Sequence, residues 1–231
     1  MDILTLFEKF QLTLKYHNKL NLKIWNGDKL KPELHDKLMD NAAKFCKYSG
    51  VDQKRIKDIV FTGSCANFNY TKFSDIDCHI VCDTSGLDDD KLYDKKKAWT
   101  ESRKLEFAGY PLEFYIHNAN TPLPSDQGMY SLQSNSWERK PVHLKNVKVL
   151  EDPKVIDKVQ FYIKYIKDLL KGDNDKENHD KIMDLKVKFW KGRTAGLHRE
   201  GEFSQENVIY KDLRNRGLID KLNKKVGSID L

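Results

Sequence analysis

Hydrophobic residues recur at helical spacing ahead of residue 50. One apolar face is formed by Leu34, Leu38, Ala42 and Phe45. Pro32 suits the first turn of a helix, because an N–H at that position would have no intrahelical partner, and Gly50 is a typical helix end. The pattern therefore predicts a helix from Pro32 to Gly50, and Trp25-Asn26-Gly27-Asp28 before it indicates a turn.

The hydrophobic period changes in the middle of the chain. Residues 56–62 form a short apolar run, residues 74–82 alternate for most of their length, and residues 111–116 form a third run of strand-forming residues. These patterns predict three strands. Between the second and third strands, residues 88–104 show a charged helical pattern with Leu92, Ala98 and Trp99 on the apolar side.

Helical spacing returns in the last third of the chain. An amphipathic series begins after Pro153 and ends at Gly172. A second helix is predicted over residues 177–190. A third helix is predicted to start at a Ser204 N-cap and to carry apolar positions as far as Leu222.

The order of these elements defines the predicted fold class. It is α/β (α+β), with a small mixed β-sheet flanked by helices. We predict one domain at residues 1–150, which includes the N-terminal helices, and a C-terminal helical region at residues 151–231.

Composition and charge exclude several classes of protein. The chain has 231 residues, and 41 Lys and Arg against 35 Asp and Glu give a net charge of +6. Charges of both signs are interspersed, which is typical of a folded protein rather than a charged tail. No apolar run approaches the ~18 residues of a membrane helix, and the N-terminus lacks the apolar stretch of a signal peptide. Four cysteines are too few for a disulfide framework, so we expect a cytoplasmic protein with reduced thiols and no membrane partner.

The stretch with the clearest chemistry follows the first predicted strand. That strand ends at Gly63 and Ser64, small residues that let backbone amides approach a phosphate closely. Ten residues then separate Ser64 from Asp75. Asp75 and Asp77 are two apart on the second predicted strand, so both carboxylates leave one face about 7 Å apart at Cα.

Glu113 completes a set of three carboxylates if the third predicted strand lies beside the second. Three like charges on one sheet face repel unless cations neutralise them. Two Mg²⁺ (or Mn²⁺) ions could do so, because oxygen ligands suit hard cations. A zinc site at Cys78 and Cys82 is excluded, since strand geometry separates these residues by about 13 Å.

Neighbouring residues have less specific interpretations. His79 falls on the same strand face as Asp77, and a structural or rim histidine is favoured over a substrate contact. The run Lys95-Lys96-Lys97 is typical of a solvated helix face, although one of these lysines could reach a triphosphate.

The motif resembles the nucleotidyltransferase superfamily related to DNA polymerase β, and Thr62 departs mildly from the apolar residue usual before the glycine. The resemblance implies a minimal nucleotidyltransferase fold. It implies that Asp75, Asp77 and Glu113 hold the metals and that Gly63 and Ser64 hold the triphosphate of an NTP. The expected reaction is metal-dependent transfer of a nucleoside monophosphate, AMP from ATP by preference, to an acceptor hydroxyl with release of pyrophosphate. Glu113 is also a candidate general base.

A closer likeness is to uncharacterised nucleotidyltransferase-like proteins of large tailed phages, which would place the protein in the cytoplasm of an infected host. It covers about residues 20–145. The stretches that carry it are residues 30–33, 63–80, 109–115 and 128–132, with Trp137 and Pro141, and more weakly residues 193–197 and 201–204.

Several alternatives remain open on the sequence. The acceptor is a protein side chain, an RNA 3′ end or a small molecule. A catalytically inactive nucleotide sensor or antitoxin-like protein could use the same fold. An RNA-binding protein could use the basic C-terminal helices. The basic residues concerned are Lys186, Lys188, Lys191, Arg193, His198, Arg199, Lys211, Arg214 and Arg216.

Overall fold

The computed structural model describes residues 10–124, 126–144 and 147–227. They divide into two compact units. An α/β unit comprises residues 16–143, and a helical unit comprises the described residues before and after it. The domain limits predicted at residues 150 and 151 stay a prediction.

The described residues of the α/β unit form two α-helices and eight strands, including all three strands predicted from the sequence. In chain order they are β1 (Trp25–Asn26), β2 (Lys29–Leu30), α1 (Pro32–Ser49), β3 (Ile56–Thr62), β4 (Ile76–Cys82), α2 (Asp89–Arg103), β5 (Glu106–Phe107), β6 (Tyr110–Asn118), β7 (Met129–Ser131) and β8 (Ser136–Arg139). The mixed α/β class with helices beside a small sheet is therefore confirmed.

Six strands form one mixed sheet in the order β5-β6-β4-β3-β7-β8. Strand β4 lies at the centre, parallel to β6 and antiparallel to β3. The register sets Asp77 opposite Thr62 on one side and opposite Glu113 on the other. The sheet thus brings the ends of three strands together around Asp77.

Alternation along β4 separates a core face from a polar face. Ile76, Cys78, Ile80 and Cys82 are buried, and the residues between them are half-buried on the opposite face. Helices α1 and α2 cover the core face, where the Phe45 ring lies 5.6 Å from the Trp99 ring and 6.1 Å from the Phe114 ring. The polar face is therefore the one that carries Asp77 and Glu113.

Residues at the ends of the two helices in this unit explain where each helix starts or stops. Helix α1 begins at Pro32 and is closed by Gly50, which has a left-handed conformation with φ +76°. The side chain of Asp88 caps α2 by accepting a hydrogen bond from the backbone N–H of Lys91. The turn predicted at residues 25–28 is confined to Gly27 and Asp28, which connect β1 and β2.

The helical unit contains four helices. They are α3 (Pro153–Lys171), α4 (Lys176–Glu200), α5 (Gln205–Asn215) and α6 (Leu218–Val226). The prediction of one helix from Ser204 to Leu222 is wrong, because Gly217 at φ +70° separates α5 from α6. Helix α4 is ten residues longer at its C-terminal end than the predicted segment, which stopped at Trp190.

The segment before the α/β unit is tied to α5 by a buried carboxylate. Asp212 has no exposed surface, and its Oδ1 atom accepts hydrogen bonds from the backbone N–H and the hydroxyl of Thr13. Arg216 Nε donates to Asp212 Oδ2 at 2.6 Å. A buried charge needs such partners, and these fix residues 10–15 in the helical unit.

None of the helices in the described ranges is long and apolar enough to cross a membrane.

Candidate active site

Three carboxylates meet on the polar face of the sheet. Asp75 precedes β4, Asp77 is its second residue, and Glu113 lies directly opposite Asp77 on β6. One oxygen of each carboxylate lies within 4.8 Å of the other two, and all three side chains are half-buried. We call these residues the acidic trio. Among the described residues, no other group of His, Cys, Asp and Glu side chains is placed to hold a metal ion.

The donor set of the acidic trio fits a divalent cation. Three carboxylates this close repel one another, and a cation removes that repulsion. Carboxylate oxygens are the ligands that Mg²⁺ and Mn²⁺ prefer. The four cysteines are all buried and unpaired by disulfides, and Cys78 and Cys82 point into the core rather than toward the trio.

A tight turn beside the trio is fixed by glycine. Gly63 ends β3 with φ +80° and ψ −170°, a conformation that glycine adopts without strain. Residues Ser64–Ala66 then form a single 3₁₀ turn, and the Ser64 hydroxyl donates to Ser74 Oγ at 2.8 Å. The structure thus brings Gly63 next to the trio, with Ser64 following in the same turn.

The side chain of Asn67 links this turn to the segment before β7. Its Nδ2 donates to the Gly63 carbonyl at 2.6 Å, and its Oδ1 accepts from the Gly128 N–H at 2.9 Å. Thr62 makes a parallel link, because its hydroxyl donates to the Gly128 carbonyl at 2.9 Å. Thr62, which stands where an apolar residue is usual, therefore makes a buried hydrogen bond.

Two side chains form hydrogen bonds to the same carboxylate oxygen of Glu113. Lys96 Nζ lies 2.7 Å from Glu113 Oε2, and the Tyr115 hydroxyl donates to the same oxygen at 2.5 Å. Burial, followed by the negative charges of Asp77 and Glu113, raises the pKa of Tyr115, so this hydroxyl stays protonated and remains a donor. Glu113 is thereby held in one orientation beside Asp77.

His79 has a structural role beside the site, because its ring packs against neighbouring aromatic side chains. Its ring stacks on Tyr115 at 4.7 Å and meets the His117 ring edge-on at 5.6 Å. Burial, with smaller effects of His117 and Lys96, lowers the pKa of His79 to about 4. A neutral, half-buried ring fits the structural interpretation better than contact with a charged substrate.

The hydrogen-bond partners of Glu113 were not predicted from the sequence. Tyr115 could have been found, since it follows Glu113 by two residues and so shares its strand face. Lys96 could not be singled out from its neighbours, because the packing of α2 against the sheet decides which lysine reaches Glu113. Lys95 of the same run donates to the Ser49 carbonyl instead.

Much of the basic cluster in the helical unit is engaged in internal contacts. Arg199 pairs with Glu200 and Glu206, and Arg216 pairs with Asp212. Other members of the cluster are also engaged: Arg193 donates to Asn207, Lys211 pairs with Glu202, and Lys186 is buried. These pairs reduce the positive charge that the unit offers to a polyanion.

Most of the α/β unit is similar to one known family of domains. Residues 39–133 match the family model of the Nucleotidyltransferase domain, and this range contains Gly63, Ser64 and the whole acidic trio. Residues 39–133 are therefore similar to a nucleotidyltransferase domain, a class of domain that uses an NTP substrate and a divalent metal.

No curated protein sequence gives a significant match. A solved structure that matches is that of the STING-associated CdnE c-di-GMP synthase from Capnocytophaga granulosa, at 12% identity over 86% of this chain and 81% of that chain, with a TM-score of 0.21. At this TM-score the similarity supports no inference about the present chain.

Proposed function

We propose that the α/β unit is an active nucleotidyltransferase, which transfers a nucleoside monophosphate to an acceptor hydroxyl and releases pyrophosphate. The observation that carries the proposal is the convergence of the acidic trio, within 4.8 Å, beside the Gly63 turn. In the reaction a bond forms between the acceptor oxygen and the α-phosphorus. The bond from that phosphorus to the oxygen bridging the β-phosphate breaks, pyrophosphate leaves with the bonding electrons, and the acceptor hydroxyl releases its proton to solvent water.

Each residue of the site has a proposed part in this reaction. Asp75, Asp77 and Glu113 would hold two Mg²⁺ (or Mn²⁺) ions, which stabilise the attacking and leaving oxygens when bound. Ser64 and the backbone around Gly63 would orient the β- and γ-phosphates of the NTP.

The contacts of Glu113 bear on its second proposed part, that of general base. Its Oε2 atom accepts hydrogen bonds from an ammonium and a phenol. Both hydrogen bonds occupy Oε2, so this oxygen is poorly placed to take a proton from the acceptor. We therefore assign Glu113 to metal binding rather than to proton removal.

We propose ATP as the donor, following the family resemblance. The acceptor belongs to one of three classes, a protein, an RNA or a small molecule, which fractionation of the labelled products separates. The phage likeness suggests an acceptor in a bacterial host.

Label transfer tests the proposal. Wild type and the Asp77→Asn variant are incubated with each α-labelled NTP, Mg²⁺ or Mn²⁺, and a bacterial lysate. We expect label from ATP in a protein, RNA or small-molecule fraction with wild type alone. Asp89→Asn, which removes an exposed acid at the start of α2, is the matched control and should behave as wild type.

Two alternatives predict other outcomes. Metal-dependent NTP binding without any transfer would indicate a nucleotide sensor on the same fold. Salt-dependent RNA binding that survives the loss of Asp75 and Asp77 would indicate an RNA-binding protein, although pairs such as Arg199 with Glu206 disfavour it. Full transfer activity in Asp77→Asn would overturn the assignment of the site.

A further inference from the structure

One oxygen of Glu113 accepts hydrogen bonds from two side chains of different elements. Lys96 reaches it from α2 and Tyr115 from β6 itself. The Lys96 ammonium also lies 4.5 Å from the centre of the Tyr115 ring, within the range of a cation–π contact. The two donors therefore stabilise each other as well as the carboxylate.

The pair is sheltered from solvent. Only 21% of the Lys96 side chain and 22% of the Glu113 side chain are exposed. An ion pair in such a place is screened less than one on the open surface. Holding a long lysine side chain there costs conformational entropy, which the ion pair and the ring contact offset.

The charges around Glu113 explain why a cation is needed there. Asp75 and Asp77 place two further carboxylates within 4.8 Å of Glu113. Lys96 brings a positive charge to the edge of this cluster. The neighbouring Lys95 is used differently, since it donates to the Ser49 carbonyl at the end of α1.

We propose that Lys96 is the built-in counter-ion of the acidic trio: it holds Glu113 while no metal is bound and competes with a divalent cation for that carboxylate. The inference rests on the proposed function, in which the trio binds metal. Lys96 is a positioning residue, because it acts on the reaction through Glu113. Two consequences follow: the metal-free protein needs Lys96 for stability, and metal affinity is lower because Lys96 is there.

Metal binding without nucleotide tests both consequences. The affinity for Mn²⁺ is measured by electron paramagnetic resonance on wild type and Lys96→Met, and the Tm of each is measured with and without saturating Mg²⁺. We expect Lys96→Met to bind Mn²⁺ about fivefold more tightly. We also expect its Tm to be lower than that of wild type without metal and equal to it with metal. A variant that had merely lost packing would be less stable in both states.

Matched variants separate charge from packing. Lys96→Arg keeps the cation and should restore the wild-type affinity. Lys91→Met removes a lysine from the same helix, one that pairs with Asp88, and should leave the Mn²⁺ affinity unchanged. Tyr115→Phe removes only the hydroxyl and should lower the Tm of the metal-free protein less than Lys96→Met does.

The outcomes distinguish this proposal from the proposed function. If wild type binds Mn²⁺ and Lys96→Met binds it no more tightly, the proposed role of Lys96 is wrong, but the metal site is not. Absence of Mn²⁺ binding in all variants overturns the metal site and with it this proposal. Binding by Lys96→Met but not by wild type supports the proposal in its strongest form.

Discussion

Gly63 and Asp77 lie so close that no side chain fits between them. A Cβ atom on Gly63 would lie 2.1 Å from Asp77 Oδ2 and 3.0 Å from its Cγ. Non-bonded carbon and oxygen atoms need more than 3 Å, so any other residue at position 63 must displace the Asp77 carboxylate. The positive φ of Gly63 adds a second, independent demand for glycine.

The first prediction concerns Gly63→Ala. We expect loss of both nucleotidyl transfer and Mn²⁺ binding, because Asp77 moves away from Asp75 and Glu113. The strained backbone should also lower the free energy of unfolding by about 1–3 kcal/mol. Urea unfolding and Mn²⁺ titration measure the two effects separately.

Gly86→Ala is the control for backbone strain. Gly86 has φ +74° and no atom within 4 Å of an added Cβ, so the substitution strains the backbone without a clash. It should lower stability and leave Mn²⁺ affinity unchanged. Normal Mn²⁺ affinity in Gly63→Ala would show that the close approach to Asp77 is unimportant.

The central part of the fold could be predicted from the sequence. Strand β3 has the predicted bounds, and the period of two in β4 fixed the face shared by Asp77 and His79. Helix α1 carries its own start and stop signals in Pro32 and Gly50. These features depend on local chemistry, which a single sequence contains.

What the sequence could not supply depends on distant partners. Strands β7 and β8 have only three and four residues, too few for a clear alternation, and they exist because β7 pairs with β3. The link from Asn67 to Gly128 spans 61 positions of the chain. The contact of Lys96 with Glu113 likewise depends on how α2 packs, so it emerged only from the structure.

The second prediction concerns Asn67→Ala. This change removes two hydrogen bonds, one to the Gly63 carbonyl and one from the Gly128 N–H. At about 1 kcal/mol each, their loss should lower the free energy of unfolding by ~2 kcal/mol. Since the turn at Gly63 loses its tie to the segment before β7, we also expect the affinity for NTP to fall.

Urea unfolding and nucleotide binding check this prediction. Asn174→Ala changes an exposed asparagine between α3 and α4 and should alter neither quantity. Wild-type stability in Asn67→Ala would mean that water replaces the lost partners without cost.

The third prediction concerns the thiol of Cys46. Burial raises its pKa to about 11, and the charge of Cys82 acts in the same direction. At pH 8 the thiol is therefore almost wholly protonated, and its burial in α1 also keeps reagents away. We expect iodoacetamide to leave Cys46 unmodified in the native protein and to alkylate it quickly in guanidinium chloride. Mass spectrometry of the peptides measures both states, and rapid native labelling would contradict the buried position.

The fourth prediction concerns the stability of the α/β unit in acid. His79 has a pKa of about 4 when folded, against 6.5 as the ordinary value, chiefly because burial disfavours the charged ring. Between these two pH values the unfolded chain binds a proton that the folded chain does not. Stability from this residue is therefore complete above pH 6.5 and is lost as the pH falls toward 4, by about 3 kcal/mol at most.

A substitution of His79 isolates this effect from the titration of carboxylates. His79→Phe keeps a flat ring against Tyr115 but has no proton to gain. Carboxylates titrate in both proteins, so the difference between the stability that each loses on acidification reports the titration of His79. Urea unfolding at pH 7 and pH 4.5 should show a smaller loss for His79→Phe than for wild type. His179→Gln, which changes an exposed histidine of α4, should lose as much stability as wild type. Equal losses in wild type and His79→Phe would mean that the folded protein admits a proton to His79, contrary to a ring kept neutral by burial beside Lys96 and His117.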